Sequence, residues 1–161
     1  MFASSDARIV GSASTVSGLK ALWQPWTALW NGDLPLLDQL IAVDFLAHAA
    51  PLSGSGSDEI VGRQGLGAWI SGIRVAVPDL LFTTQVGPLA EGEFLSGRWA
   101  ATGTYRRGMP GVPSTAVGSQ VSFTGTDTLR VAGDQITEYW ANSDMLQLLQ
   151  QLGALAPSNQ G

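Results

Sequence analysis

The chain contains no cysteine and only one histidine among its 161 residues. Without cysteine it can form no disulfide, no thiolate nucleophile and no thiolate metal site. A single histidine, His48, cannot build a multi-histidine metal centre, and a site made of carboxylates alone is not expected. The sequence therefore predicts a site with no metal ion and no redox thiol.

Charged residues are also scarce, at 13% of the chain with a net charge of −5. The basic residues are scattered, and only Arg106 and Arg107 are adjacent, so no basic stripe is available to bind nucleic acid. No apolar run reaches the ~18 residues of a membrane span. Residues 1–17 lack the charged start and apolar core of a signal peptide, so we expect a cytoplasmic protein that binds no membrane.

Hydrophobic residues, by contrast, make up 45% of the chain, and six of them are tryptophan. This composition is typical of one globular domain with a large core. We expect a flexible arm over residues 1–16, a single domain over 17–155 and a frayed tail over 156–161. The Ser/Gly-rich stretch 50–57 predicts an internal loop.

The spacing of apolar residues changes once along the chain. Helical spacing predicts helices over 18–30, from 33 to about 45, and over 65–76. Alternating spacing then predicts strands near 80–87, 92–105, 119–131 and 134–142, and a short helix over 145–152 follows. Three helices before a run of strands predict an α+β fold, with the helices packed on one face of a curved, mostly antiparallel sheet. A concavity between the two layers is a natural place for a small molecule.

Asp127 is the residue that departs most clearly from this pattern. Along residues 121–131 the apolar side chains alternate with polar ones, and Asp127 has the parity of the apolar face. A carboxyl group among apolar side chains loses hydration, which raises its pKa towards the range that a general acid or base uses. The alternative is an aspartate at a bulge or rim that holds neighbouring backbone.

Several short motifs occur in an order that resembles a known family. They are DFLAH at 44–48, GRQG at 62–65, GMPG at 108–111, FTGTDTLR at 123–130 and ITEYW at 136–140. Over residues 18–155 the chain is similar to the SnoaL-like polyketide cyclases, which have the cone-shaped NTF2-like fold. The resemblance implies an aspartate, here Asp127, that acts as acid and base in an intramolecular aldol closure of a polyketide ester, without cofactor. It also implies a homodimer formed through the outer face of the sheet.

The sequence differs from the family at Tyr105, where many cyclases carry a histidine. A tyrosine hydroxyl can donate a hydrogen bond to an enolate oxygen, so Tyr105 and Asp127 are a candidate catalytic pair, and a satisfied core tyrosine is the alternative. His48 is interpreted as a polar orienting group that holds Asp127 or a substrate carbonyl, or as a structural hydrogen-bonder.

Aromatic residues on the predicted helices and strands are candidates for the wall of a substrate pocket. We expect the following to contact substrate: Trp69, Trp99, Phe123 and Trp140, with Asn142 as a polar contact. Glu138 and Arg130 are expected to pair across neighbouring strands on the outer face.

Three functions fit these residues. The first is a cofactor-independent cyclase or isomerase that acts on a hydrophobic, carbonyl-bearing small molecule. The second is a hydratase, dehydratase or epoxide-opening enzyme in which Asp127 activates water. The third is a protein that binds a hydrophobic small molecule without changing it.

Overall fold

The described chain begins with two short helices. The computed structural model describes residues 15–49 and 60–155. Helix α1 (Val16–Ala21) begins after Thr15, whose hydroxyl accepts a hydrogen bond from the N–H of Gly18, and α2 (Trp23–Trp30) follows directly. Pro25 lies in the first turn of α2, where its missing N–H would have had no partner in the helix. The predicted helix over 18–30 is thus confirmed as two segments.

The second predicted helix is much shorter than expected. A 3₁₀ turn (Leu34–Leu36) leads into α3 (Leu37–Leu40), and the chain then becomes strand β1 (Ile41–His48). The prediction of a helix to about residue 45 is wrong, because the residues from Ile41 onward pair with the last strand of the sheet instead. Ile41 and Phe45 are fully buried, a spacing of four that suits a helix as well as a strand.

The third helix and its neighbours complete the helical layer. Strand β2 (Ile60–Val61) pairs with the end of β1, and α4 (Gly62–Ala76) follows it. The predicted helix over 65–76 is confirmed, with three further residues at its start. A short C-terminal helix, α5 (Met145–Gln151), contacts the sheet through Gln151, whose side chain bonds both backbone groups of Ser122.

The predicted strands are confirmed. They are β3 (Leu81–Glu91), β4 (Phe94–Thr104), β5 (Gln120–Ala132) and β6 (Gln135–Ser143), with a second 3₁₀ turn (Ser114–Ala116) between β4 and β5. They join β1 and β2 in one sheet with the order β2-β1-β6-β5-β4-β3. All neighbours are antiparallel except β1 and β6, which are parallel, so the sheet is mixed but mostly antiparallel.

Register shifts bend this sheet, one of them in the pairing of β1 with β6 between Ile41 and Leu46. In β3 the pairing with β4 shifts on either side of Val86, and in β6 the pairing with β5 shifts between Ile136 and Glu138. Extra residues of this kind bend and twist a strand. The helices lie on one face of the bent sheet, here called the inner face, and the buried core lies between the two layers. The opposite face is called the outer face.

Some expectations lie outside the described residues. They are the loop over 50–57, the tail over 156–161 and the arm over 1–16, except that Thr15 and Val16 begin α1. In the part of the chain that the structure describes, no helix is both long and apolar enough to span a membrane.

Candidate active site

Asp127 lies on the inner face of the sheet, in the middle of strand β5. The side chains of β5 alternate between buried and partly exposed positions, and Asp127 takes a buried one, with only 3% of its surface exposed. Its neighbours across the two adjacent strands are Gly97 on β4 and Ala141 on β6. Because both neighbours are small, the carboxyl group is open to side chains that come from the helical layer.

Two aromatic side chains hold the carboxyl group. The indole N–H of Trp26 on α2 donates to Oδ2 of Asp127 at 2.9 Å, and the hydroxyl of Tyr139 on β6 donates to Oδ1 at 2.8 Å. Each carboxyl oxygen therefore has one protein donor. The orientation of Asp127 is fixed from two different elements, a helix and a neighbouring strand.

Burial and hydrogen bonding act in opposite directions on this carboxyl group. Loss of hydration raises the pKa of Asp127, and the hydrogen bond from Trp26, the nearby indole N–H of Trp99 and the hydrogen bond from Tyr139 lower it by a smaller amount, so the pKa remains above its ordinary value. Burial also raises the pKa of Tyr139, and the negative charge of Asp127 raises it further. Tyr139 is therefore a hydroxyl donor throughout the physiological pH range, and Asp127 is the group that can exchange a proton.

Aromatic rings surround the Asp127 carboxyl on the helix side. The ring centroids of Trp26 and Tyr139 are 4.9 Å apart, and Trp30 packs 5.9 Å from Trp26. The chain of ring contacts continues outward, and the further members that pack edge to face or tilted are Trp69, Phe82, Trp99 and Phe123. We call this set, with Trp26, Trp30 and Tyr139, the aromatic cluster. A carboxyl group with a raised pKa inside such a cluster can move protons on an apolar molecule.

Three of the predicted substrate contacts belong to the aromatic cluster. Trp99 and Phe123 lie on the inner face of β4 and β5, with ring centroids 5.7 Å apart. Trp69 reaches the cluster from α4 and packs 5.0 Å from Trp30. The structure thus brings these three residues to the face that carries Asp127.

Tyr105 does not lie beside Asp127. It is eight residues beyond Gly97, the β4 partner of Asp127, so at about 3.3 Å per residue the two are roughly 26 Å apart along the strand. Tyr105 is buried, and its hydroxyl oxygen accepts from the N–H of Met109 at 3.4 Å. The two members of this candidate catalytic pair are therefore not side by side, because the phenol lies just beyond the end of β4.

His48, Trp140 and Asn142 lie on the outer face. The His48 ring stacks on Trp140 with centroids 5.3 Å apart, and its Nε2 is 2.7 Å from Oε1 of Glu138. The expected cross-strand pair is confirmed, since Nη1 of Arg130 is 3.0 Å from Oε2 of Glu138. The structure thus pairs His48 with Glu138 and not with Asp127, and Asn142 is exposed.

The faces of β6 do not follow from counting by twos along the whole strand. Counting by twos from the buried Ile136 assigns Glu138, Trp140 and Asn142 to the same face. The register shift between Ile136 and Glu138 breaks that count, so Tyr139 and not Trp140 faces Asp127. The sequence did not predict that Tyr139 and Trp26 would donate hydrogen bonds to Asp127. The helical spacing of Trp23, Trp26 and Trp30 indicated an aromatic helix face, but not which indole meets the carboxyl group.

Metal ligands are not clustered in the described ranges. Within residues 15–49 and 60–155, no group of three or more His, Asp or Glu side chains is arranged to hold a metal ion.

Comparison with known proteins finds a matching family. A family model described as SnoaL-like polyketide cyclase matches residues 20–152. No curated protein matches the sequence.

Solved structures share the fold. IdmH from Streptomyces antibioticus, a candidate polyketide cyclase, is 27% identical, with a TM-score of 0.69 over 84% of this chain and 98% of that chain. A candidate polyketide cyclase from Acidithiobacillus ferrooxidans is 26% identical, with a TM-score of 0.70 over 89% of this chain and 99% of that chain. AclR from Streptomyces galilaeus, a candidate hydroxylase, is 24% identical, with a TM-score of 0.73 over 91% of this chain and 87% of that chain, and it supports the fold alone. The NTF2-like architecture is confirmed, and the family match with the two cyclase neighbours supports a cyclase-type function.

Proposed function

The chain belongs to the SnoaL-like polyketide cyclase family, and from that premise we propose that it is a cofactor-independent cyclase or isomerase in which Asp127 is the general acid and base. The substrate is a hydrophobic small molecule that carries carbonyl groups, of the kind found in polyketide esters. The observation that carries the proposal is the buried carboxyl of Asp127, held by Trp26 and Tyr139 inside the aromatic cluster.

The proposed reaction is a proton transfer followed by ring closure. The Asp127 carboxylate takes a proton from the carbon next to a substrate carbonyl, which leaves an enolate. The enolate carbon then attacks a second carbonyl of the same molecule, a carbon–carbon bond forms, and the resulting alkoxide takes the proton back. Protons and electrons balance within the substrate and Asp127, so the reaction needs no cofactor.

The pKa of Asp127 suits both halves of this cycle. A carboxyl with an ordinary pKa is a weak base and is rarely protonated at neutral pH, whereas a raised pKa strengthens the base and populates the acid. Tyr139 and Trp26 supply hydrogen bonds to the carboxylate and fix its direction. Tyr139 and Trp26 are thus positioning residues.

The family binds small hydrophobic molecules, and the aromatic cluster gives such a ligand apolar surface to contact. We propose that Trp69, Trp99 and Phe123 contact the substrate directly. The predicted roles of Tyr105, His48, Trp140 and Asn142 stay predictions, and any contact they make with a ligand lies away from the Asp127 carboxyl.

The experiment that tests this function follows hydrogen exchange at carbon, because removal of an α-proton does not require the natural substrate. The protein is incubated in D₂O with aryl ketones and aryl β-keto esters, and loss of the α-proton signal is followed by NMR. We expect Asp127→Asn to slow the catalysed exchange by about 10²- to 10⁴-fold. Asp134→Asn, which changes an exposed aspartate in the turn between β5 and β6, is the matched control and should exchange like the wild type.

Equal exchange rates for wild type and Asp127→Asn would refute the proposed role of Asp127. Tight binding of the same ketones with no exchange by either protein would indicate instead a protein that holds a hydrophobic ligand without changing it.

We also propose that the protein forms a homodimer through the outer face of the sheet. Apolar side chains are exposed there, including Val86, Leu89 and Phe94, with Leu89 64% exposed. Burial of these side chains against a second copy of the chain would remove apolar surface from water.

Sedimentation velocity at micromolar concentration should show a dimer that Leu89→Glu converts to monomer. Leu146→Glu on α5, where the leucine is also 64% exposed, is the control and should stay dimeric. A monomeric wild type would contradict this arrangement.

A further inference from the structure

Helix α2 directs three indole rings at the sheet, and they differ in what their N–H groups meet. The indole N–H of Trp23 donates to the hydroxyl of Thr84 at 2.8 Å, and that of Trp26 donates to Asp127 at 2.9 Å. Trp30 lies one turn beyond Trp26 and is only 6% exposed. Its indole N–H is buried and has no acceptor in the described part of the chain.

A second indole, on the sheet, is also buried with its N–H group unpaired. Trp99 on β4 is 7% exposed, and its N–H also has no hydrogen-bond acceptor among residues 15–49 and 60–155. Trp99 pairs with Gly125, which precedes Asp127 by two residues on the same face of β5. A diagonal neighbour of this kind is within reach of a long aromatic side chain. Trp99 therefore lies next to the Asp127 carboxyl without a hydrogen bond of normal geometry to it.

The two unpaired donors belong to one region of the core. Phe82 contacts both rings, with its centroid 5.7 Å from Trp30 and 5.0 Å from Trp99. The carboxyl of Asp127, beside Trp99, accepts one hydrogen bond at each oxygen, from Trp26 and Tyr139. Buried donors without a partner are rare in folded proteins and unfavourable, so a pair of them within one aromatic cluster calls for a functional reason.

We propose that the indole N–H groups of Trp30 and Trp99 are the ligand-recognition donors of this site, and that they select molecules whose oxygens are hydrogen-bond acceptors. An indole N–H donates and never accepts, so the matching groups are ketone or ester carbonyls and enolate oxygens. Trp99, beside Asp127, binds the carbonyl oxygen whose neighbouring carbon loses the proton. Trp30, one helical turn past the indole that holds Asp127, binds a second carbonyl oxygen of the same ligand.

This inference rests on the proposed function in one respect: the oxygen bound by Trp99 becomes the enolate oxygen in the proton-transfer step. A donor that waits unpaired in the free protein stabilises the developing negative charge without first losing another partner. The donor role expected of Tyr105 is thereby assigned to an indole that lies next to Asp127.

The test compares two probes of the same shape that differ only in the acceptor. They are 2,6-diacetylnaphthalene and 2,6-diisopropenylnaphthalene, in which a CH₂ group replaces each carbonyl oxygen. In ¹⁵N-labelled protein the six tryptophans give one indole N–H signal each, and single Trp→Phe variants assign them. We expect the ketone, relative to the alkene, to move the Trp30 and Trp99 proton signals downfield as hydrogen bonds form, and to leave the Trp23 signal unchanged.

Affinity supplies a second readout. Trp30→Phe and Trp99→Phe keep an aromatic ring and remove the N–H, so each should weaken ketone binding by about 3- to 10-fold, in line with the loss of one neutral hydrogen bond, and leave alkene binding unchanged. Trp23→Phe removes an N–H that is already paired with Thr84, so the ratio of ketone to alkene affinity should stay at the wild-type value. If a Phe variant fails to fold, its indole signal is assigned in the wild type by nuclear Overhauser contacts to the neighbouring rings, and the wild-type spectra then decide the question.

Failure of this inference is separable from failure of the proposed function. Equal binding of ketone and alkene, or unmoved Trp30 and Trp99 signals in the ketone complex, would overturn the donor assignment even if α-proton exchange were catalysed. Ketone selectivity with both signals shifted would support it even if neither wild type nor Asp127→Asn catalysed exchange.

Discussion

Asp127 is governed by two opposed effects at the scale of a single residue. Burial among aromatic rings disfavours its charged form, and hydrogen bonds from Trp26 and Tyr139 favour that form. Burial is the larger effect, so the pKa is raised. Because the folded protein then holds the proton more tightly than the unfolded chain, the contribution of Asp127 to stability is greatest below the unfolded pKa, falls as pH rises through the folded pKa and stays constant above it.

The inward position of Asp127 could be predicted from the sequence because side chains alternate between the two faces of a regular strand. Its neighbours on β5 alternate without interruption, so the inward direction of its side chain follows from counting by twos. The same rule failed on β6, where the register shift after Ile136 exchanges the two faces and brings Tyr139, not Trp140, to Asp127. The bond from Trp26 joins residues 101 positions apart, and no local pattern encodes a contact of that range.

Strands β4 and β5 each contain a glycine that lets an indole ring lie directly against the sheet. A Cβ at Gly97 would meet the ring of Trp23, and a Cβ at Gly125 would meet the ring of Trp99 and, at 2.6 Å, the carbonyl oxygen of Asn142. These glycines let the indoles lie directly on the backbone of β4 and β5. The positions of Trp23 and Trp99 around Asp127 thus depend on residues that have no side chain.

We expect Gly125→Ala to destabilise the protein by about 1–3 kcal/mol, the usual cost of an extra methyl group in a well-packed core. The carbonyl of Asn142 belongs to the backbone of β6 and cannot rotate away, so Trp99 or the strand must move. Chemical denaturation followed by tryptophan fluorescence measures the change. Gly72→Ala on α4, where an added Cβ meets nothing within 4 Å, is the control and should stabilise by about 0.5–1 kcal/mol. A Gly125→Ala protein as stable as the wild type would show that this close approach is not required.

Strand β1 shows the limit of sequence reasoning at the scale of elements. Residues 36–45 carry leucine, isoleucine and phenylalanine at spacings that a helix and a strand both allow. Because a helix begins just before them, the prediction extended that helix through residues that form a strand. The strand forms because it pairs in parallel with β6, almost a hundred residues later, and antiparallel with β2. Elements defined by local alternation, such as β4 and β5, were predicted nearly to the residue.

At the scale of the whole molecule, the sheet separates two kinds of chemistry. The inner face carries Asp127 within the aromatic cluster, and the outer face carries the charged side chains of Arg130 and Glu138 with His48 stacked on Trp140. The low charged fraction of the sequence reflects the large share of residues given to the core and the apolar side chains left on the outer face. The ordered motifs identified the fold because they span nearly the whole domain. Which residues meet Asp127 depends on bulges and helix packing that the motifs do not encode.

The measurement that tests the central claim most directly is the titration of the Asp127 carboxyl by ¹³C NMR in protein labelled at the aspartate side-chain carbonyl. The Asp127 signal is identified as the one that Asp127→Asn removes. We predict a midpoint above the ordinary value of 3.8. The free energy of unfolding should fall as pH rises from that ordinary value through the observed midpoint. A midpoint at or below the ordinary value would contradict the account, because Asp127 would then be a fixed charge that holds Trp26 and Tyr139 and not a group that holds and releases a proton.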